Sequence, residues 1–210
     1  MTRDEAVQII ADRLGQRSGL STQIVSEMKL AQVRLERRGF LPWFLRAKYA
    51  TTLDTSPIYH PTGFIREIED IPLLAYTDDD GVLQELQKDF YSVLVKATAN
   101  EDIDSTGAPE YYAMLDASQI WLFPSPDKSY TAEERFYQGA SVLETDIENA
   151  WLQYAPEVLI CETGLRIAQF LRDEVAVGLF KTDLGLAHDA MIRDSVAFTM
   201  GALSAKLGGG

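Results

Sequence analysis

Ile120-Trp121-Leu122-Phe123-Pro124-Ser125-Pro126-Asp127-Lys128-Ser129-Tyr130 is the stretch from which the fold can be read. Gln119 to Phe123 is a run of β-formers, and the two prolines after it lack the N–H that a ladder needs, so the strand ends there. Tyr130, Ala132, Glu134 and Phe136 then alternate as a second strand through Gln138. Thr131 and Glu134 offer a helical alternative, but Tyr137-Gln138-Gly139 leads straight into a turn, which favours the strand. Asn149-Ala150-Trp151-Leu152 belongs to a short helix opened by the capping box Thr145-Asp146-Ile147-Glu148. Ala155-Pro156-Glu157 breaks that helix, since the proline ring clashes with the preceding turn. A long amphipathic helix over Glu157 to about Leu179 follows, and Asp183 caps a last one in which Gly201 is either a stop or a bend.

Upstream, Thr2-Arg3-Asp4-Glu5 fits a second capping box, and Gly15 closes the first helix. Ser21 is the expected cap of a helix to about Arg38, with Ile24, Met28, Ala31 and Leu35 on its apolar face. Phe40-Leu41-Pro42-Trp43-Phe44-Leu45 reads as a buried aromatic anchor between subdomains. From residue 46 onward the pattern is β: Lys48 to Leu53, Gly63 to Ile68, Leu73 to Tyr76, Tyr91 to Val95 and Tyr111 to Leu115 all read as strands. Leu83, Leu86, Gln87 and Phe90 share a helical face, so a short helix is expected over Val82 to Phe90, and Asn100 to Pro109 is a loop. The resulting class is α+β: a helical bundle built from the N- and C-terminal segments (1–45 and 145–207), a β-rich insertion over 46–144, and a flexible C-terminal tail over 202–210. All of it fits one 210-residue unit with a real core.

Net charge is −13, and it is unevenly spread. Residues 1–50 hold nine Lys/Arg against five Asp/Glu, whereas 51–210 hold ten against twenty-seven. So acidic a body does not wrap nucleic acid, because phosphate contacts need positive charge. It suits solubility, and equally a surface past which DNA slides without sticking. No apolar run reaches the ~20 residues of a membrane span, and Met1-Thr2-Arg3-Asp4-Glu5 lacks the apolar core of a secretory signal. The one cysteine, Cys161, cannot form an internal disulfide, which points to synthesis in a reducing cytoplasm.

Candidate chemistry is sparse. Asp78-Asp79-Asp80-Gly81 fails as a calcium loop, because with glycine at position six the first and twelfth positions are Tyr76 and Gln87. It reads as a hairpin turn. Cys161 follows Val158-Leu159-Ile160 and reads as a packed hydrophobe, its thiol raised if anything by Glu162; His188 is the imaginable base beside it. His60 sits in Tyr59-His60-Pro61 with no neighbouring acid in sequence. No catalytic, cofactor or metal site is expected. A paired-carboxylate glycan hydrolase is the alternative of another class, since acids are abundant. Lys29, Arg34, Arg37 and Arg38 lie along the second helix, where a solvated face is the ordinary explanation and contacts with acids of a neighbouring copy are the alternative.

Leu122-Phe123-Pro124-x-Pro126-Asp127 with Tyr130, Asn149 with Trp151-Leu152, Ala155-Pro156-Glu157 and Ala168-x-x-Leu171-x-Asp173 together resemble the head-to-tail adaptor (connector) proteins of tailed bacteriophages. The resemblance implies a structural virion protein without enzymatic activity or cofactor. It implies a ring of twelve copies that binds the portal, connects it to a tail nozzle or other tail proteins, and lines a channel through which DNA passes without specific binding. Other head-completion or tail-terminator proteins are the alternatives of the same class. The location implied is the head-tail junction of the virion, with no membrane involved. Docking onto the portal would fall to the C-terminal segment, here Leu203, Lys206, Leu207 and Gly208.

Overall fold

The computed structural model describes residues 1–17, 19–69, 71–144 (except 101–105) and 147–207, with backbone alone at 97–100 and 202–207. The chain is mixed α+β and divides into two compact units: residues 1–45 with 139–210, and residues 46–138.

The first unit is helical. Helix α1 (Arg3–Arg13) starts at the Thr2–Glu5 capping box, in which the Thr2 side chain accepts from Glu5 N and the Glu5 carboxylate accepts from Thr2 N at 2.8 Å. Helix α2 (Ser21–Glu36) buries Ile24, Met28, Ala31 and Leu35, as the spacing requires. Its N-cap, however, is Leu20 without a side-chain bond, so Ser21 lies inside the helix and does not cap it. Asn149 caps α4 (Ala150–Tyr154) by accepting from the N–H groups of Trp151 and Leu152. The same amide donates to Gln32 Oε1 at 3.0 Å, and Trp151 Nε1 donates to Glu36, so this short helix is tied to α2.

Pro156 opens α5 (Pro156–Leu171), which is packed by α1, α2, α4 and α6 (Glu174–Leu207) and buries nine of its sixteen residues. Two expectations fail here. The long helix stops at Leu171, because Arg172 adopts a left-handed conformation (φ 56°) and Asp173 takes over as cap by accepting from Ala176 N at 3.1 Å. Asp183 and Gly201 accordingly lie inside α6, as neither cap nor stop. The α5–α6 contact rests on Gly164: a Cβ there would stand 2.3 Å from the buried Phe180 ring. The aromatic knot, in a 3-10 turn over Trp43–Leu45, packs within this helical unit: Trp43 stacks on Phe198 at 4.4 Å and Phe44 meets Trp151 edge-on at 5.2 Å.

The second unit is built of β1 (Arg46–Leu53), β2 (Ile58–Tyr59), β3 (Phe64–Glu67), β4 (Leu74–Thr77), β5 (Leu83–Glu85), β6 (Gln87–Lys88), β7 (Thr106–Gly107), β8 (Tyr111–Met114), β9 (Gln119–Phe123), β10 (Ser125–Pro126) and β11 (Tyr130–Gln138), with helix α3 (Tyr91–Asn100). One sheet runs β1-β11-β4-β5 with β3 also on β11; another runs β2-β9-β8-β6. Side chains of both close over one core that includes Leu53, Leu74, Ile120, Leu122 and Phe136. The alternation on β11 is real, with Tyr130, Ala132, Glu134 and Phe136 all buried. Two segments exchange the types expected of them. Val82 to Phe90 holds the strands β5 and β6 and no helix, because a turn through Gly81 (φ 78°) folds Leu83–Glu85 back onto β4. Tyr91 to Val95 is helix, its β-branched Val93 and Val95 lying exposed while Leu94 alone of the three is buried.

Candidate assembly site

The cations on α2 do not form one free face. Arg34 Nε donates to Glu162 at 3.2 Å and Arg38 to the other oxygen of that carboxylate at 2.7 Å. Arg34 also meets Glu27 at 2.5 Å, and Arg166 stands 3.8 Å from Glu162, one helical turn along α5. Glu162 is 3% exposed. Burying a carboxylate costs several kcal/mol, which only close, well-directed partners offset. These three guanidinium groups supply them. Arg34 and Arg38 are therefore engaged inside their own unit, while Lys29 and Arg37 are exposed and carry no ion pair among the described residues. Beside them Leu30 and Val33 are 55% and 42% exposed.

Helix α6 is apolar on more sides than its own unit covers. Ala176, Phe180 and Met191 are buried, yet Val175, Leu179, Leu186, Val196 and Met200 are exposed, by as much as 75% at Val175. These five recur with Thr182, Asp189 and Arg193 at alternating steps of four and three, which puts them on one stripe of the helix. Five of the eight positions on this stripe are apolar and exposed, the pattern of a surface that binds a partner. Alongside runs a groove of about 420 Å³ between α6 and the α4–α5 corner, lined by Tyr154, Leu186, Ala190, Met191 and Asp194 among others. It continues into a recess of about 360 Å³ at Trp43 and Phe198.

In the β unit, His60 does have an acid beside it, contrary to the sequence reading. Its Nδ1 lies 2.5 Å from Glu134 Oε1, with side-chain exposures of 2% and 0%, and its ring stacks on Phe64 at 3.7 Å. Strand pairing brings together residues 74 positions apart. His60 Nε2 and Glu134 Oε2 have no hydrogen-bond partner among the described residues. The available signal was Glu134 itself, an acid in the inward register of an alternating strand. Glu134 and Glu162 are both sealed from solvent, so neither can act on a glycan.

Cys161 is fully buried, and burial pushes its thiol up to about 11. The acids that add to this are Glu157 and Asp183, opposed by Arg13 at 3.7 Å; Glu162, expected in that role, points to α2. Asp78 organises its hairpin by accepting from the N–H groups of Asp80 and Val82, and its carboxyl is held below the usual range by the Gln84 amide first and then by the Val82 N–H. Tyr130 donates to Asp127 at 2.6 Å, and that bond raises its hydroxyl to about 12. Asp127 of the Pro-x-Pro-Asp signature thus ties the turn to Tyr130 at the start of β11.

Leu203, Lys206 and Leu207 continue the α6 backbone where a mobile tail was expected; their side chains, and Gly208 entirely, lie outside the described residues, as do Thr145 and Asp146 of the expected capping box. A family model described as SU10 adaptor protein matches residues 1–200. No curated protein matches the chain.

Proposed function

The chain belongs to the SU10 adaptor protein family, a family of phage head-to-tail adaptors, and from that premise we propose that it forms a ring between the portal and the tail and lines the channel through which DNA leaves. The observation that carries this reading is the exposed apolar stripe of α6, from Val175 to Met200. An assembly covers such a surface, and a head-to-tail contact repeated about an axis closes into a ring. Twelve copies are the proposed number. The end of α6 (Leu203, Lys206, Leu207) with Gly208 is the proposed portal contact, and Lys29 and Arg37 are the α2 cations left for contacts between copies. The acidic balance of residues 51–210 keeps DNA from sticking to the channel wall.

Mass photometry of the protein mixed with portal oligomers tests the reading. A portal-sized complex that gains a whole ring of adaptor mass is expected; a portal that gains none overturns it. Deleting residues 202–210 is expected to abolish attachment while circular dichroism stays that of a folded chain.

A further inference from the structure

We infer that the groove between α6 and the α4–α5 corner receives the exposed face of α2 from a second copy of this chain. The inference rests on the ring reading and assigns its contact.

The groove is acidic with apolar walls. Glu157 and Asp183 stand on its rim, and Arg13 reaches both, at 3.3 and 3.6 Å. Asp194, which lines both the groove and the recess, carries no ion pair among the described residues. Three carboxylates thus face one guanidinium, and the groove keeps a negative surplus. Its walls are unsatisfied in the other sense: Leu186 is 67%, Tyr154 50% and Phe198 47% exposed.

The α2 face has the opposite sign and the same mixture. Lys29, Leu30, Val33 and Arg37 are all exposed and lie at i, i+1, i+4 and i+8, so they share one side of the helix. Two cations flank two apolar side chains. Laid into the groove, Leu30 and Val33 cover Leu186 and Tyr154, and a cation reaches Asp194. The two surfaces lie on different elements of one unit, so a contact made once between two copies uses the groove of one and the α2 face of the other, and leaves the first copy's α2 face and the second copy's groove open. A contact of that kind propagates around a ring. Arg34 and Arg38 play no part, because Glu162 of their own copy holds them.

The test is a charge exchange in the full chain. Arg37→Glu and Asp194→Arg are each expected to weaken assembly on portal oligomers about tenfold, read as the adaptor concentration that half-fills the ring. The Arg37→Glu/Asp194→Arg double variant is expected to recover to within about threefold, since the pair is restored with its signs swapped. Both positions are exposed, and unchanged circular dichroism of each variant checks that the fold survives. Normal rings from both single variants, or a double variant no better than the worse single, overturn the inference and leave the ring reading standing. Rings that form normally with Asp194→Arg but detach from the portal make the groove a portal site, and the inference falls. A wild-type chain that adds no ring to the portal removes both.

Discussion

Helix α5 and strand β11 are the central elements of their units, and each carries a buried glutamate. On α5, Glu162 meets Arg34, Arg38 and Arg166, groups that stay charged at any ordinary pH. On β11, Glu134 meets one imidazole, and its Oε2 has no partner among the described residues. Both carboxylates are costly to bury, but only the first is surrounded by enough opposite charge to offset that cost. The helical unit therefore depends on its buried charge, whereas the β unit tolerates one.

Removing each charge while keeping its shape breaks or sharpens that contrast. Glu162→Gln leaves three guanidinium groups around a neutral amide and is expected to lower unfolding stability by roughly 3 kcal/mol in urea titrations. A loss equal to that of Glu134→Gln would erase the difference between the two units. Two residues along, Gly164→Ala pushes a methyl into Phe180 and is expected to cost about 2 kcal/mol, although alanine is the better helix former. A stabilised variant would mean that α5 and α6 yield where the geometry says they interlock.

Cys161→Ala is expected to cost about 1 kcal/mol at neutral pH through lost packing. Its pH signature is more telling. Burial lifts the folded thiol from the ordinary 9.0 to about 11, so the folded chain holds the proton more tightly than the unfolded one. The stability this brings is fully present below about pH 9 and is lost as pH rises toward about 11. The alanine variant lacks that decline, and chemical denaturation across the interval reads the difference. Smallest of all, Glu134→Gln is expected to change stability by less than ~1 kcal/mol, because Oε2 has no partner to lose among the described residues and the amide keeps an oxygen at His60. The paired replacement His60→Leu/Glu134→Leu is expected to be neutral or stabilising in the same titration.

Much of the helical unit is legible in residue order because its signals are local. Thr2 and Glu5 are three positions apart, Pro156 acts on the turn before it, and the α2 stripe is a matter of spacing. The errors fall where a distant contact outweighs local preference. Val82 to Phe90 has helical spacing, but the Asp78–Gly81 turn delivers it to the edge of β4, and ladder hydrogen bonds win. Tyr91 to Val95 is rich in β-formers, yet it coils into a helix that buries Leu94 and leaves Val93 and Val95 exposed. The break at Arg172 was hidden because a left-handed arginine has no sequence signature of the kind glycine provides.

The candidate site divides in the same way. The four α2 cations are visible as a group, but which of them are available depends on Glu162, 124 positions beyond Arg38. The covering groove has no contiguous sequence at all, since Tyr154, Met191 and Asp194 meet only when α6 folds back along α5. Periodicity, caps and proline breaks by themselves determined the mixed α+β class, the starts of α1 and α5 and the inward face of β11. Tertiary structure alone decided which charges are paired inside the chain and which stay exposed. Charge reaches across space, and its value depends on burial and on neighbours that the linear order does not place side by side.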